Sequence, residues 1–96
     1  MSKGYWVTCY REVRDASRLA AYAQLAAPAI AAAGGRFLAR GLPAATQESG
    51  QLERTVLIEF DSLAQATAAY ESPAYRTALD ALGDGAVRDI RFIAGV

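Results

Sequence analysis

A chain of 96 residues is the size of one small domain, and at that length folding buries only a modest share of the surface, so a partner would add stability. Hydrophobic residues make up 53% of it, but 22 residues are Ala, which removes little apolar area from water, so the core has to come from a few larger side chains. Ten Lys and Arg balance ten Asp and Glu, which argues against nucleic acid and against an anionic membrane surface as partners.

Tyr5 to Arg11 alternates as a strand, with Tyr5, Val7 and Cys9 on one face and Trp6, Thr8 and Tyr10 on the other. Asp15 or Ser17 can cap the helix that follows, whose larger residues Leu19, Tyr22, Ala26 and Ile30 recur at steps of three and four. Pro28 removes a backbone donor and crowds the carbonyl of Gln24, so a kink or a restart is expected there, and Gly34 with Gly35 ends the helix. Arg36 to Arg40 returns to a period of two, with Phe37 and Ala39 opposite Arg36, Leu38 and Arg40.

Gly41 to Leu52 has no period and reads as a loop, after which Thr55 to Phe60 is the clearest strand, its core face formed by Val56, Ile58 and Phe60. Asp61 or Ser62 caps a second helix carrying Leu63, Ala66 and Tyr70. Ser72 with Pro73 has the form of a cap and first residue for a further short helix through Leu82, broken by Gly83 and Gly85. The last strand runs from about Arg88 toward Val96, with Ile90, Phe92 and Ala94 on one face and Arg91 and Ile93 on the other. Strand, helix, strand, strand, helix, strand is the split βαβ order, an α+β fold with a four-stranded antiparallel sheet and its helices on one face. The whole of residues 1–96 is read as a single domain.

The strands leave a second face that is mixed. If Val7, Cys9, Phe37, Val56, Ile58, Ile90 and Phe92 meet the helices, then Trp6, Thr8, Tyr10, Arg36, Leu38, Arg40, Leu57, Glu59, Arg91 and Ile93 point away. That set is too apolar to be left in water and too charged for a core. Two copies meeting through these faces, a homodimer, would resolve both problems.

Without His the chain cannot build a Ser-His-Asp triad, a Cys-His dyad or a His-ligated metal site, and neither a calcium loop nor a nucleotide-binding glycine motif is present. Neither a metal nor a cofactor is expected. A single Cys, no signal-like opening segment and no apolar run of membrane-spanning length make the cytoplasm the default location. Arg36 and Arg40 lie about 13 Å apart on one strand face, too far to share one small carboxylate alone, although across a dimer they could frame an elongated anion. Ion pairs to Glu59 or Glu53 are the alternative use. Glu59 is the candidate proton carrier if desolvation raises its pKa, and a structural pair with Arg40 or Arg91 otherwise. Trp6 and Tyr22 offer aromatic wall, Tyr75 a rim hydroxyl, and Ser72 a helix cap; Cys9 reads as a small buried hydrophobe.

GYW at Gly4 to Trp6, GGRFLARG at Gly34 to Gly41, VLIEFDS at Val56 to Ser62 and SPAY at Ser72 to Tyr75, at matching spacing, resemble the small bacterial family catalogued as domain of unknown function 1330 (DUF1330). The resemblance implies a ferredoxin-like fold of the dimeric α+β barrel superfamily. It implies recurring polar positions at Arg36, Arg40, Glu59, Ser72 and Tyr75, and no established reaction. Many relatives carry an Arg near the position of Gly83, which this chain lacks. Three roles follow as expectations: a homodimer binding a small anionic or aromatic molecule; a cofactor-independent isomerase, decarboxylase or monooxygenase-like enzyme using Glu59; or a structural dimer.

Overall fold

In a computed structural model, which describes residues 2–96, the chain forms β1 (Gly4–Val13), α1 (Ala16–Ala32), β2 (Arg36–Gly41), β3 (Thr55–Phe60), α2 (Leu63–Glu71), α3 (Pro73–Leu82) and β4 (Ala86–Ala94). The strands pair antiparallel in the order β2-β3-β1-β4. The helices pack on one face, which is the ferredoxin-like α+β arrangement.

Local chemistry accounts for the element ends. Asp15 accepts from the Ser17 and Arg18 amides at 3.0 and 3.1 Å and starts α1, which then runs through Pro28 without a restart and leaves by Gly34 at φ +94°. Ser62, rather than Asp61, caps α2 by accepting from the Gln65 amide at 3.1 Å. Ser72 separates α2 from α3 in an extended conformation; its Oγ donates to the Ala69 carbonyl at 2.8 Å and accepts from the Tyr75 amide at 3.3 Å. One residue thus closes one helix and opens the next.

The β1 faces are the reverse of the sequence expectation. Trp6 pairs with Ile58 and Phe92, and Thr8 with Val56 and Ile90, so register carries Trp6, Thr8 and Tyr10 to the helix side. They are buried there, whereas Val7 is half-buried on the open face and Cys9 is exposed on it rather than enclosed as a small hydrophobe. The physical reason is volume. Trp6, 1% exposed, sits among Phe60, Tyr70, Tyr75 and Phe92 with ring centroids 4.9–6.4 Å away, a cluster that supplies the large apolar area an Ala-rich chain lacks elsewhere. Trp6 therefore anchors the core instead of the outward face.

A second correction lies in β2. Phe37 pairs with Ile58, but Ala39 pairs with Leu57, so the register shifts by one residue around Leu38. A bulge of this kind turns the residues beyond it to the opposite faces. Arg36 stays on the open face beside Glu59, while Arg40, paired with Val56, passes to the helix side.

Candidate functional site

Between α1 and the sheet lies a cavity lined by Trp6, Thr8 and Tyr10 of β1, Tyr22, Ala26 and Ile30 of α1, and Phe37, Val56 and Ile58 of the sheet, with Arg40, Arg54 and Arg88 among its charged lining. Its empty space, mouth included, is about 400 Å³, but only about 40 Å³ accepts the centre of a water molecule, so it is a slot. The alanines of α1 make the slot: Ala23, Ala26 and Ala27 keep the helix surface low where a Leu would fill the gap. Small residues that contribute little to the core thus contribute a space.

The charge at this site is unusual. Among the described residues, Arg40, Arg54 and Arg88 have no carboxylate within salt-bridge distance, while the other arginines of the chain do. Arg88 instead donates from Nη1 to the hydroxyls of Tyr22 and Tyr75, at 2.9 and 3.4 Å, and those hydroxyls lie 2.6 Å apart. Burial opposes the Arg88 charge, but the two tyrosine oxygens outweigh it and its pKa lies above the usual arginine value. Burial also pushes the Tyr75 hydroxyl upward, as it does that of Tyr10, so both stay protonated at neutral pH. Arg40 lies over the Phe37 ring, 4.5 Å from its centroid. No Asp, Glu, Asn or Gln lines the slot, so the site can attract and hydrogen-bond an oxyanion but has no carboxylate to act as a base.

The predicted residues divide between two faces. Trp6, Tyr22 and Arg40 meet at the cavity, with Tyr75 behind Tyr22. Arg36 and Glu59 are together on the opposite side of the sheet, where Arg36 reaches Glu59 at 3.1 Å and Asp61 at 3.1 Å, and Tyr5 donates to Glu59 at 3.0 Å. The Tyr5 hydrogen bond and then Arg36 hold the Glu59 carboxyl below its ordinary value, the opposite of the raised acid that a proton carrier needs, and its partner is Arg36, one of the two arginines whose alternative use is an ion pair to Glu59, rather than Arg40 or Arg91. Ser72 is engaged as a cap of both flanking helices. At Gly83 a side chain would meet the Arg18 guanidinium, 2.6 Å from an ideal Cβ, so Arg18 from α1 occupies the space that an Arg at that position would enter.

Sequence reasoning missed Arg54 and Arg88. For Arg88 the signal was present, because alternation with Ile90 and Phe92 already put it on the helix side. Arg54, one residue before the β3 pattern, carried none. No group of three or more His, Cys, Asp or Glu side chains converges as a metal site would among the described residues. Nor is any described helix long and apolar enough to cross a membrane.

Several solved structures share the fold. RPA0582 of Rhodopseudomonas palustris, a protein of unknown function, is 22% identical with a TM-score of 0.70, over 97% of this chain and 80% of that one. A dimeric ferredoxin-like protein of unknown function from Thermobifida fusca is 18% identical with a TM-score of 0.64, over 97% and 91%. A Caulobacter crescentus protein assigned provisionally as an antibiotic biosynthesis monooxygenase is 18% identical with a TM-score of 0.61, over 99% and 90%. No curated protein sequence matches the chain. The family model described as Domain of unknown function (DUF1330) matches residues 3–96.

Proposed function

From a chain that belongs to the DUF1330 family, whose description carries no reaction, we propose a small-molecule-binding protein that holds an organic oxyanion with a flat apolar body in the slot between the sheet and α1. The observation that carries this reading is the set of three arginines without carboxylate partners around an aromatic-walled cavity. Three positive charges with no carboxylate beside them, Arg40 exposed and Arg54 and Arg88 half-buried, would attract an anion to the slot, and the anion's apolar part would lie against Ile30, Phe37, Val56 and Ile58. Glu59 faces away from that slot, so an enzyme using it as proton carrier is the weaker reading.

The open face supports a second copy as its partner. It carries Val7, Cys9, Leu57 and Ile93 between the pairs Arg36 with Glu59 and Arg91 with Asp89, a pattern whose charges complement a copy of itself. The Thermobifida fusca neighbour is described as dimeric. Light scattering at micromolar concentration should return twice the chain mass, and a monomer would remove the dimer from the proposal.

Trp6 is the only tryptophan and lines the slot, so its fluorescence reports occupancy. Titration with aromatic carboxylates should quench or shift it. Arg40→Ala should weaken that response about tenfold or more, as expected for loss of a charge-assisted contact, and Arg36→Ala should leave it unchanged. Equal losses in the two variants would overturn the assignment of the site to this face.

A further inference from the structure

The group of Tyr22 on α1, Tyr75 on α3 and Arg88 on β4 joins three elements through two hydroxyls and one guanidinium. The proton positions follow from counting. Arg88 has only donors, so each tyrosine oxygen accepts from it, and the 2.6 Å contact between the hydroxyls needs one of them to donate to the other. If Tyr22 donated, the proton of Tyr75, whose residue is 0% exposed, would be left without an acceptor in the interior, at the full desolvation cost of a buried donor. Tyr75 therefore donates to Tyr22. The Tyr22 oxygen then accepts from both Tyr75 and Arg88, its acceptor positions are filled, and of the two hydroxyl protons its own is the one not used internally. Tyr22 lines the slot and Tyr75 does not.

We propose that Tyr22, aimed by Tyr75 and Arg88, is the hydrogen-bond donor that reads a deprotonated ligand oxygen, and that the slot selects organic carboxylates over the corresponding amides. This rests on the binding reading above and deepens it by naming the ligand class and the residue that recognises it. With its acceptor positions occupied, Tyr22 offers the ligand a proton and no lone pair. Thr8 is only partly committed: its Oγ accepts from the Trp6 indole N–H at 2.9 Å, which leaves its proton and one lone pair. A carboxylate, acceptor-only and anionic, satisfies Tyr22 and the neighbouring Arg88 together, whereas an amide brings an NH₂ for which the slot has neither carboxylate nor carboxamide acceptor. Tyr75 and Arg88 also act differently: Arg88 is within the lining and supplies charge, while Tyr75 acts only through the orientation of Tyr22.

The test uses the full chain, Trp6 fluorescence and two matched probe pairs, benzoate with benzamide and cinnamate with cinnamamide. Wild type should bind the carboxylates at least tenfold more tightly than the amides. Tyr22→Phe should reduce carboxylate affinity about tenfold and bring the two members of each pair closer together. Tyr75→Phe should cause a smaller loss in the wild-type background and none in the Tyr22→Phe background, which separates positioning through Tyr22 from a general loss of structure. In wild-type protein with ¹³C-labelled tyrosine, the Tyr22 Cζ resonance should shift with benzoate and stay in place with benzamide, a readout independent of any variant's folding. If carboxylates are preferred but Tyr22→Phe keeps the same preference and the Cζ resonance is unmoved, the role of Tyr22 is wrong and the oxyanion slot survives. If no carboxylate perturbs Trp6 at millimolar concentration, or amides bind equally well, the oxyanion slot itself is wrong and the inference falls with it.

Discussion

Gly4→Ala should be among the most damaging single-methyl additions this chain can receive. An ideal Cβ at Gly4 would stand 2.5 Å from Leu63 Cα, Leu63 N and Ser62 C, all backbone atoms at the start of α2. An ordinary contact needs at least about 1 Å more, and neither side can retreat cheaply. Gly4 is hydrogen-bonded into a central strand, paired with Phe60 on one side and Ala94 on the other, while Ser62 caps the helix against it. The cost should reach or exceed the upper end of the roughly 1–3 kcal/mol typical of overpacking, because backbone rather than a flexible side chain must move. For a domain of this size that is a fall in Tm of about 12 °C or more, read by circular dichroism. Gly41→Ala is the control. Gly41 has φ +152° but nothing within 4 Å of the added carbon, so only the backbone strain of about 1–3 kcal/mol applies, without the clash. A Gly4→Ala melting curve within about 2 °C of wild type would refute the close approach of β1 and α2.

Further outcomes follow from the same geometry. Ser72→Ala removes a contact at each of two helix ends and should cost about 1–2 kcal/mol, seen as a lower urea midpoint with an unchanged slope; no shift would mean that Pro73 alone sets the break. Glu59, Asp61 and Asp89 have folded-state pKa values held below their ordinary ones, first by hydrogen bonds from Tyr5, Lys3 and Arg91 respectively. Their contribution is therefore complete above about pH 4 to 5 and is lost as pH falls through the folded values, so Tm should drop between pH 5 and 3, less steeply in Arg36→Gln; a flat profile would contradict this. Exposed Cys9 should react with a thiol reagent at the rate of an open thiol when the protein is dilute and slow down on concentration as the open faces close together; a concentration-independent rate would count against that dimer.

The elements and their order were legible because period, caps and glycine breaks agree with one another at nearly every boundary. The faces of β1 were not. Tyr5, Val7 and Cys9 alternate with Trp6, Thr8 and Tyr10, both sets are apolar enough to be buried, and only pairing with Ile58 and Phe92 decides between them. The Leu38 bulge had no local mark either: Phe37-Leu38-Ala39 contains no Gly or Pro, yet it separates Arg36 from Arg40 and with them the two halves of the expected site. Tyr22 and Trp6 were recognised as wall; Arg88 could have been found by extending the strand period by one step. An ion pair of Glu59 to Arg36 or Arg40 was open from the sequence, and strand pairing chooses Arg36, 23 positions away, by bringing β2 and β3 together.

The same bulge has a consequence for how copies of this chain could meet. β2 is the edge of the sheet, and an edge strand offers unpaired amides and carbonyls to any other edge. An extra residue at Leu38 interrupts that row, and Arg36 and Arg40 lean to opposite sides of it. A straight incoming strand would lose register after two or three residues and meet a cation on either face. End-to-end growth into a continuous ribbon is thereby discouraged at β2, leaving the broad face as the surface on which association can stop at a defined number of copies.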